Sequence, residues 1–282
     1  MSTGYNNDNR LLCRINQLSI VDKNVVKSFG PHSPGAFKGS RLFGGHTITQ
    51  SYLAFKKLYP KTQVVKLDTI FIAPGNVIDP MEFIIDEKTL EFGFTKMTII
   101  QNTKLIANLM IRFTRNLSPE LLIDPIQIKF PQNIGPPESY EALNISIVKN
   151  GLFELRPVLS HIKGEKRTES IDLTQSWCRL NSKLEIPKFD DSLAPLMLLT
   201  DYLVFRPVFN LLYHYEQTNE STFGSSLNHK ILIHHSDVNQ NEFFFVQLRT
   251  HIISKQRGMI DGQIFDEKHR CILTYRQENF VQ

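Results

Sequence analysis

Asp201 is the one charged residue in the thirteen-residue stretch Leu193–Phe205, and it lies near the C-terminal end. Pro195 suits an early helical position, and Leu196, Met197, Thr200 and Val204 recur at helical spacing on one apolar face. A carboxylate carried into a core on such a helix loses its hydration and must be paired or used. Burial also raises its proton affinity towards neutral pH, as a general base requires. The plain alternative is a helix-end aspartate facing solvent or bonded to a neighbouring loop.

The other groups with chemistry in them are histidines and a glycine pair. His229, His234 and His235 lie close in sequence, but on a strand His229 and His235 share a face and His234 points away. No further ligand follows at zinc spacing, and Cys13, Cys178 and Cys271 are too scattered to supply one, so neither a metal nor another cofactor is implied. Gly44-Gly45 precedes the helix-like stretch Thr47–Lys57 and lets backbone amides approach a ligand or another strand closely. It serves equally as a tight strand-to-helix turn. His46, beside the pair, reads as packing or hydrogen bonding rather than chemistry.

Composition narrows the class. The chain has 282 residues, 41% hydrophobic and 21% charged, which suits one large domain or two similar ones with a substantial core. A net charge of +4 permits an anionic ligand without pointing to nucleic acid. No apolar run is expected to reach the ~20 residues of a membrane span, and no signal-peptide core opens the chain. The expectation is a soluble intracellular protein.

These residues must be positioned by a repeated set of elements. After the helix near Gly45 come strand-like runs at Gln63–Ile72, Met81–Ile85, Phe92–Ile100 and Leu105–Phe113, punctuated by Ala73-Pro74-Gly75-Asn76 and Gln101-Asn102-Thr103-Lys104. Asn116–Tyr140, rich in proline, reads as a semi-rigid crossover. The order then restarts. Strands are expected at Gly151–Val158 and Ser176–Leu180, then the Asp201 helix beginning near Asp191. Strands follow at Asn228–His235, Glu242–Ile253, Arg257–Phe265 and Cys271–Gln277. The pattern predicts an α+β chain built as a tandem (double) hot dog, two antiparallel sheets each wrapped round a central helix and meeting edge to edge. The expected divisions are residues 10–115, a linker at 116–140, and residues 141–282 carrying the candidate catalytic groups.

From about Leu11 to Gln277 the chain resembles the type II acyl-CoA thioesterases, the bacterial enzyme and its peroxisomal relatives. The family's Val-Phe-Gly-Gly-Gln is similar to Leu42-Phe43-Gly44-Gly45-His46, and its Pro-Gly-Asp turn to Pro74-Gly75-Asn76. Glu-Val-Arg-Pro-Val resembles Glu154-Leu155-Arg156-Pro157-Val158, and Trp-x-Arg resembles Trp177-Cys178-Arg179. Ala-Ser-Asp resembles Leu199-Thr200-Asp201, and Ser/Thr-Leu-Asp-His resembles Ser226-Leu227-Asn228-His229. Arg-Gly-x-x-x-Gly matches Arg257–Gly262, and the final Val-Gln-Glu-Gly corresponds to Arg276-Gln277-Glu278-Asn279. The Arg-Asp-Gly turn of the first half is replaced by Glu87–Phe92, without the family's glycine and arginine.

The resemblance implies hydrolysis of fatty acyl-CoA to a free fatty acid and CoA, with Asp201, Ser226 and Gln277 jointly holding the attacking water. Physically this is coherent: the carboxylate polarises the water, and a hydroxyl and an amide, each both donor and acceptor, orient it. No Gly-x-Ser-x-Gly elbow surrounds Ser226, so no covalent serine is implied. A hydratase-type hot dog and a non-catalytic acyl-CoA-binding protein stay open. The expected partner is acyl-CoA, with a homo-oligomer possible and chain-length preference undetermined. Arg10–Leu18 has the apolar spacing of a short helix or strand packing on the core, the favoured reading, and also loosely matches an N-terminal peroxisomal nonapeptide. The resemblance implies the peroxisomal matrix, with the cytoplasm as alternative.

Overall fold

The computed structural model describes residues 15–35, 41–115, 128–143, 152–158, 171–181, 189–217 and 223–282. In the first half, β1 (Leu18–Asp22) and β2 (Val25–Ser28) precede the helix α1 (Gly44–Leu58). Then come β3 (Gln63–Phe71), β4 (Glu82–Ile85), β5 (Phe94–Gln101) and β6 (Lys104–Thr114). The second half repeats this order. It begins with β7 (Phe153–Pro157) and β8 (Leu173–Leu180), followed by the helices α2 (Ala194–Tyr202) and α3 (Arg206–His214). It ends with β9 (Gly224–Ile233), β10 (Phe244–Ser254), β11 (Arg257–Phe265) and β12 (Cys271–Val281).

The twelve strands make one sheet in the order β1-β2-β4-β5-β6-β3-β9-β12-β11-β10-β8-β7, antiparallel at every described pairing. Read outward from its centre, each half has the same topology. The seam is β3 against β9, with Thr69 opposite His229 and Ile70 opposite Asn228. The two central helices pack against each other.

The hairpin of β1 and β2 was not among the expected strands; it is short and lies at the sheet's edge. Residues 10–14 of the nonapeptide and 116–127 of the expected crossover lie outside the described residues. From residue 128 the crossover packs on the second half. Ile128, Phe130, Ile134 and Tyr140 cover a cluster of Trp177, Phe243, Phe245 and Phe265, and Trp177 Nε1 donates to the Gly135 carbonyl at 3.1 Å. In the first half, Glu87–Phe92 is a short 3-10 turn. Its closing glycine is Gly93, one residue beyond the motif, at φ 74°.

Both central helices are buried far beyond a single stripe. In α1 every residue from Gly45 to Phe55 is buried, although four of them carry hydroxyls. The cost is offset locally: Thr49 Oγ1 donates to the Gly45 carbonyl and Ser51 Oγ to the Thr47 carbonyl, both at 2.7 Å. Lys56 and Lys57 close the last turn, where cations favour the helix dipole. In α2 all residues from Ala194 to Asp201 are buried, so the apolar face expected from spacing is in fact the whole circumference. The run Ala194–His214 is long and apolar enough, by length and composition alone, to cross a membrane, contrary to the expectation that none would be. Here it is two helices broken at Leu203–Phe205, and its first half fills the core.

Candidate active site

Asp201 sits in the last turn of α2, 5% exposed, with its carboxylate between the two halves. Three donors reach it. The Gly45 amide, at the N-terminus of α1, donates to Oδ2 at 2.8 Å. Ser226 Oγ and Gln277 Nε2 donate to Oδ1 at 3.1 and 2.9 Å. Gln277 Nε2 also donates to Ser226 Oγ at 2.5 Å, closing a triangle. The sequence-predicted trio thus meets at one point, with Asp201 from a helix and the others from adjacent strands.

The glycine pair makes this approach possible. A Cβ on Gly44 would lie 2.8 Å from Asp201 Oδ2, and one on Gly45 would lie 2.9 Å from the Leu198 carbonyl and 2.8 Å from the Phe43 ring. The positive end of α1 therefore closes on a carboxylate supplied by the other half. Of the two readings of Gly44-Gly45, close approach is the one the geometry carries, and the group approached is Asp201.

Ser226 reaches the same point through a register shift. Along β12, Gln277 faces His229, Glu278 faces Asn228, and Asn279 faces Ser226, so Leu227 is left without a partner. Strict alternation from the buried His229 would turn Ser226 to the outer face with Asn228 and Lys230. The bulge at Leu227 shifts the parity by one and brings Ser226 onto the inner face beside Gln277.

Electrostatically the carboxylate is held between opposing effects. Burial raises its pKa, and the hydrogen bonds from Gln277, Gly45 and Ser226 lower it; the balance leaves it pushed up from 3.8 to about 6. A base with that affinity is mostly ionised at neutral pH and still able to take a proton. His229 lies close by, with Nδ1 3.8 Å from Asp201 Oδ1, and was not assigned to the site from sequence. Burial pushes its pKa down to about 3, so the ring is neutral.

A cleft of about 360 Å³ opens over this point. Gly44 and Ser226 line it, with Phe71, Phe223 and Phe280 as apolar wall and Arg41 as the only charged lining residue among those described. His46, next to the glycine pair, turns away: Nδ1 accepts from the Ser33 amide at 3.3 Å, and the ring meets His32 at 5.1 Å. Burial holds its pKa well below the usual histidine range. Its geometry is that of packing and hydrogen bonding. His234, beyond the end of β9, meets Thr274 Oγ1 at 3.0 Å.

The opposite end of the helix pair has a different chemistry. There Tyr52 of α1 donates to Asp191 Oδ1 at 2.9 Å, and the same oxygen accepts the Leu193 amide at 3.0 Å. Asp191 thereby holds the turn that leads into α2, and its carboxylate's partners among the described residues include no serine or glutamine side chain.

Comparison with known proteins agrees with this architecture. Residues 150–281 match the family model described as the acyl-CoA thioesterase C-terminal domain. The tesB protein of Mycobacterium avium subsp. paratuberculosis aligns with a TM-score of 0.73 at 16% identity, covering 96% of this chain and 98% of that one. The acyl-CoA thioesterase II TesB2 of Mycobacterium marinum aligns at 0.72 and 17%, with the same coverage of both chains. A protein described as having a hot dog fold, from Alicyclobacillus acidocaldarius, aligns at 0.73 and 14%, over 96% and 97%. No curated protein matches the chain. The fold is a double hot dog, and residues 150–281 are similar to the acyl-CoA thioesterase C-terminal domain.

Proposed function

We propose that the protein is an acyl-CoA thioesterase that hydrolyses fatty acyl-CoA to a free fatty acid and CoA. The observation that carries this is the convergence of Ser226, Gln277 and the Gly45 amide on one buried carboxylate, beside a largely apolar cleft that Ser226 and Gly44 line. Gly44, which lines the cleft, lies against Asp201 Oδ2, and that oxygen keeps a lone pair beyond the one used by Gly45. A water there donates a proton to Asp201 while its oxygen attacks the thioester carbonyl. Collapse of the tetrahedral intermediate breaks the C–S bond, and the proton taken by Asp201 passes to the departing thiolate. Water and thioester become carboxylic acid and thiol, with no covalent enzyme intermediate.

The apolar wall suits an acyl chain or pantetheine, and Arg41 suits a phosphate. Arg41 takes part in no ion pair among the described residues, so its charge is available to a ligand. Release of free thiol from acyl-CoA, measured across chain lengths, tests the reading. Binding without release would favour an acyl-CoA-binding protein, and turnover of enoyl-CoA without thiol release a hydratase. For location we propose the peroxisomal matrix, with the cytoplasm as alternative, on the family resemblance, the loose Arg10–Leu18 match offering one import route; a reporter fused to residues 1–30 tests that route.

A further inference from the structure

Gln277 of the Asp201 triangle ends a row of polar groups whose other two members, Thr69 and His229, the hydrolytic reading does not use. Thr69 on β3, His229 on β9 and Gln277 on β12 face one another in successive register across three adjacent strands. All three are fully buried. Thr69 Oγ1, both nitrogens of His229 and Gln277 Oε1 find no hydrogen-bond partner among the described residues. A buried polar group left without a partner is costly, so four such atoms in one row are not a neutral feature.

Their chemistry is complementary. A neutral imidazole has one N–H and one acceptor nitrogen, the threonine hydroxyl is a donor, and the amide oxygen is an acceptor. Side chains directly opposite on neighbouring strands stand near enough to bond directly or through one water. We propose that neutral His229 is a positioning residue of the site: its N–H serves Gln277 Oε1, while its other nitrogen accepts from Thr69. The amide of Gln277 is thereby fixed with Nε2 aimed at Asp201 Oδ1. Without a donor on Oε1 the amide is free to turn over, which would present its oxygen to the carboxylate and repel it.

The groups that could titrate around this row are few. Asp201 approaches from α2, with Tyr202 following it on the same helix. Tyr275 stands on β12, its ring 5.6 Å from that of His229, and Cys178 on β8 acts on Tyr275. Burial holds both tyrosines neutral far above physiological pH and pushes the Cys178 thiol up to about 12. The acid limb of activity is therefore left to Asp201.

The inference rests on the hydrolase reading, and two experiments separate its failure from failure of that reading. In His229→Leu, similar in bulk and without a donor, kcat should fall about tenfold or more at unchanged KM, because Gln277 no longer serves Asp201. The acid limb should move to higher pH. His229→Asn, which restores an N–H, should return the limb and most of kcat. Equal behaviour of the two variants, or an unmoved limb in His229→Leu, overturns the proposal. If His229→Leu does not fold, nitrogen-15 shifts of the native protein decide instead, with no turnover required. His229 should show one fixed neutral tautomer whose N–H shift changes in Gln277→Leu. Averaged tautomers, or no response to that substitution, overturn it.

Discussion

The Gly45 amide and the Asp201 carboxylate are 156 residues apart in sequence and 2.8 Å apart in the fold, one from each half of the chain. The contact places the candidate base on the other half's helix N-terminus. Each half alone therefore holds an incomplete site. Gly45→Ala would set a methyl group 2.9 Å from the Leu198 carbonyl and against the Phe43 ring. The expected result is a loss of about 1–3 kcal/mol of stability by overpacking, together with at least a tenfold loss of kcat as α1 withdraws from the carboxylate. Thermal melts and thiol-release kinetics on the same preparation check both.

Activity should depend on the ionisation of Asp201. The carboxylate must be unprotonated to accept the water's proton, so kcat/KM should fall about tenfold per pH unit below its pKa of about 6. Stability should run the opposite way. The folded-state pKa is raised, so this group's contribution is fully present below about 3.8 and is lost as pH rises through about 6. The displacement corresponds to roughly 3 kcal/mol at neutral pH. Asp201→Asn should therefore flatten the pH dependence of Tm between pH 4 and 7, which urea or thermal unfolding across that range would show.

Ser226 and Gln277 act on the same oxygen, so their losses should not multiply. Ser226→Ala and Gln277→Ala should each lower kcat by less than Asp201→Asn does. The double variant should fall well short of the product of the singles. Full additivity in a double-mutant cycle would mean that the two side chains work independently.

Arg41 lines the cleft without a counter-ion among the described residues, and a phosphate-bearing substrate would supply one. Arg41→Gln should raise KM for acyl-CoA severalfold with little change in kcat. The corresponding acyl thioester of a short neutral thiol should be indifferent to the change. Equal effects on both substrates would place the arginine's role in the fold instead.

Much of this arrangement was legible before the structure, and the parts that were not have specific causes. The repeated order of helix and strands showed the double hot dog, because apolar runs broken by Pro-Gly and Asn-Thr turns survive without tertiary knowledge. The hairpin at Leu18–Ser28 was missed: two short edge strands carry little alternation. Asp201 announced itself as a lone carboxylate in an apolar helix. Ser226 did not, since counting from His229 puts it on the wrong face, and only the bulge at Leu227 corrects it. Gly44-Gly45 signalled close approach without naming its target, which lies in the other half. His229 read as a strand histidine because its neighbours in register, Thr69 and Gln277, come from distant parts of the chain.

The most direct measurement is thiol release from a fatty acyl-CoA by Asp201→Asn beside the unmutated protein at neutral pH. Asn keeps the shape of the side chain and removes the base, so the variant should remain folded, bind a non-hydrolysable acyl-CoA analogue, and lose about 10²-fold or more in kcat. Hydrolysis by the variant at the unmutated rate would contradict the assignment of Asp201 as the base.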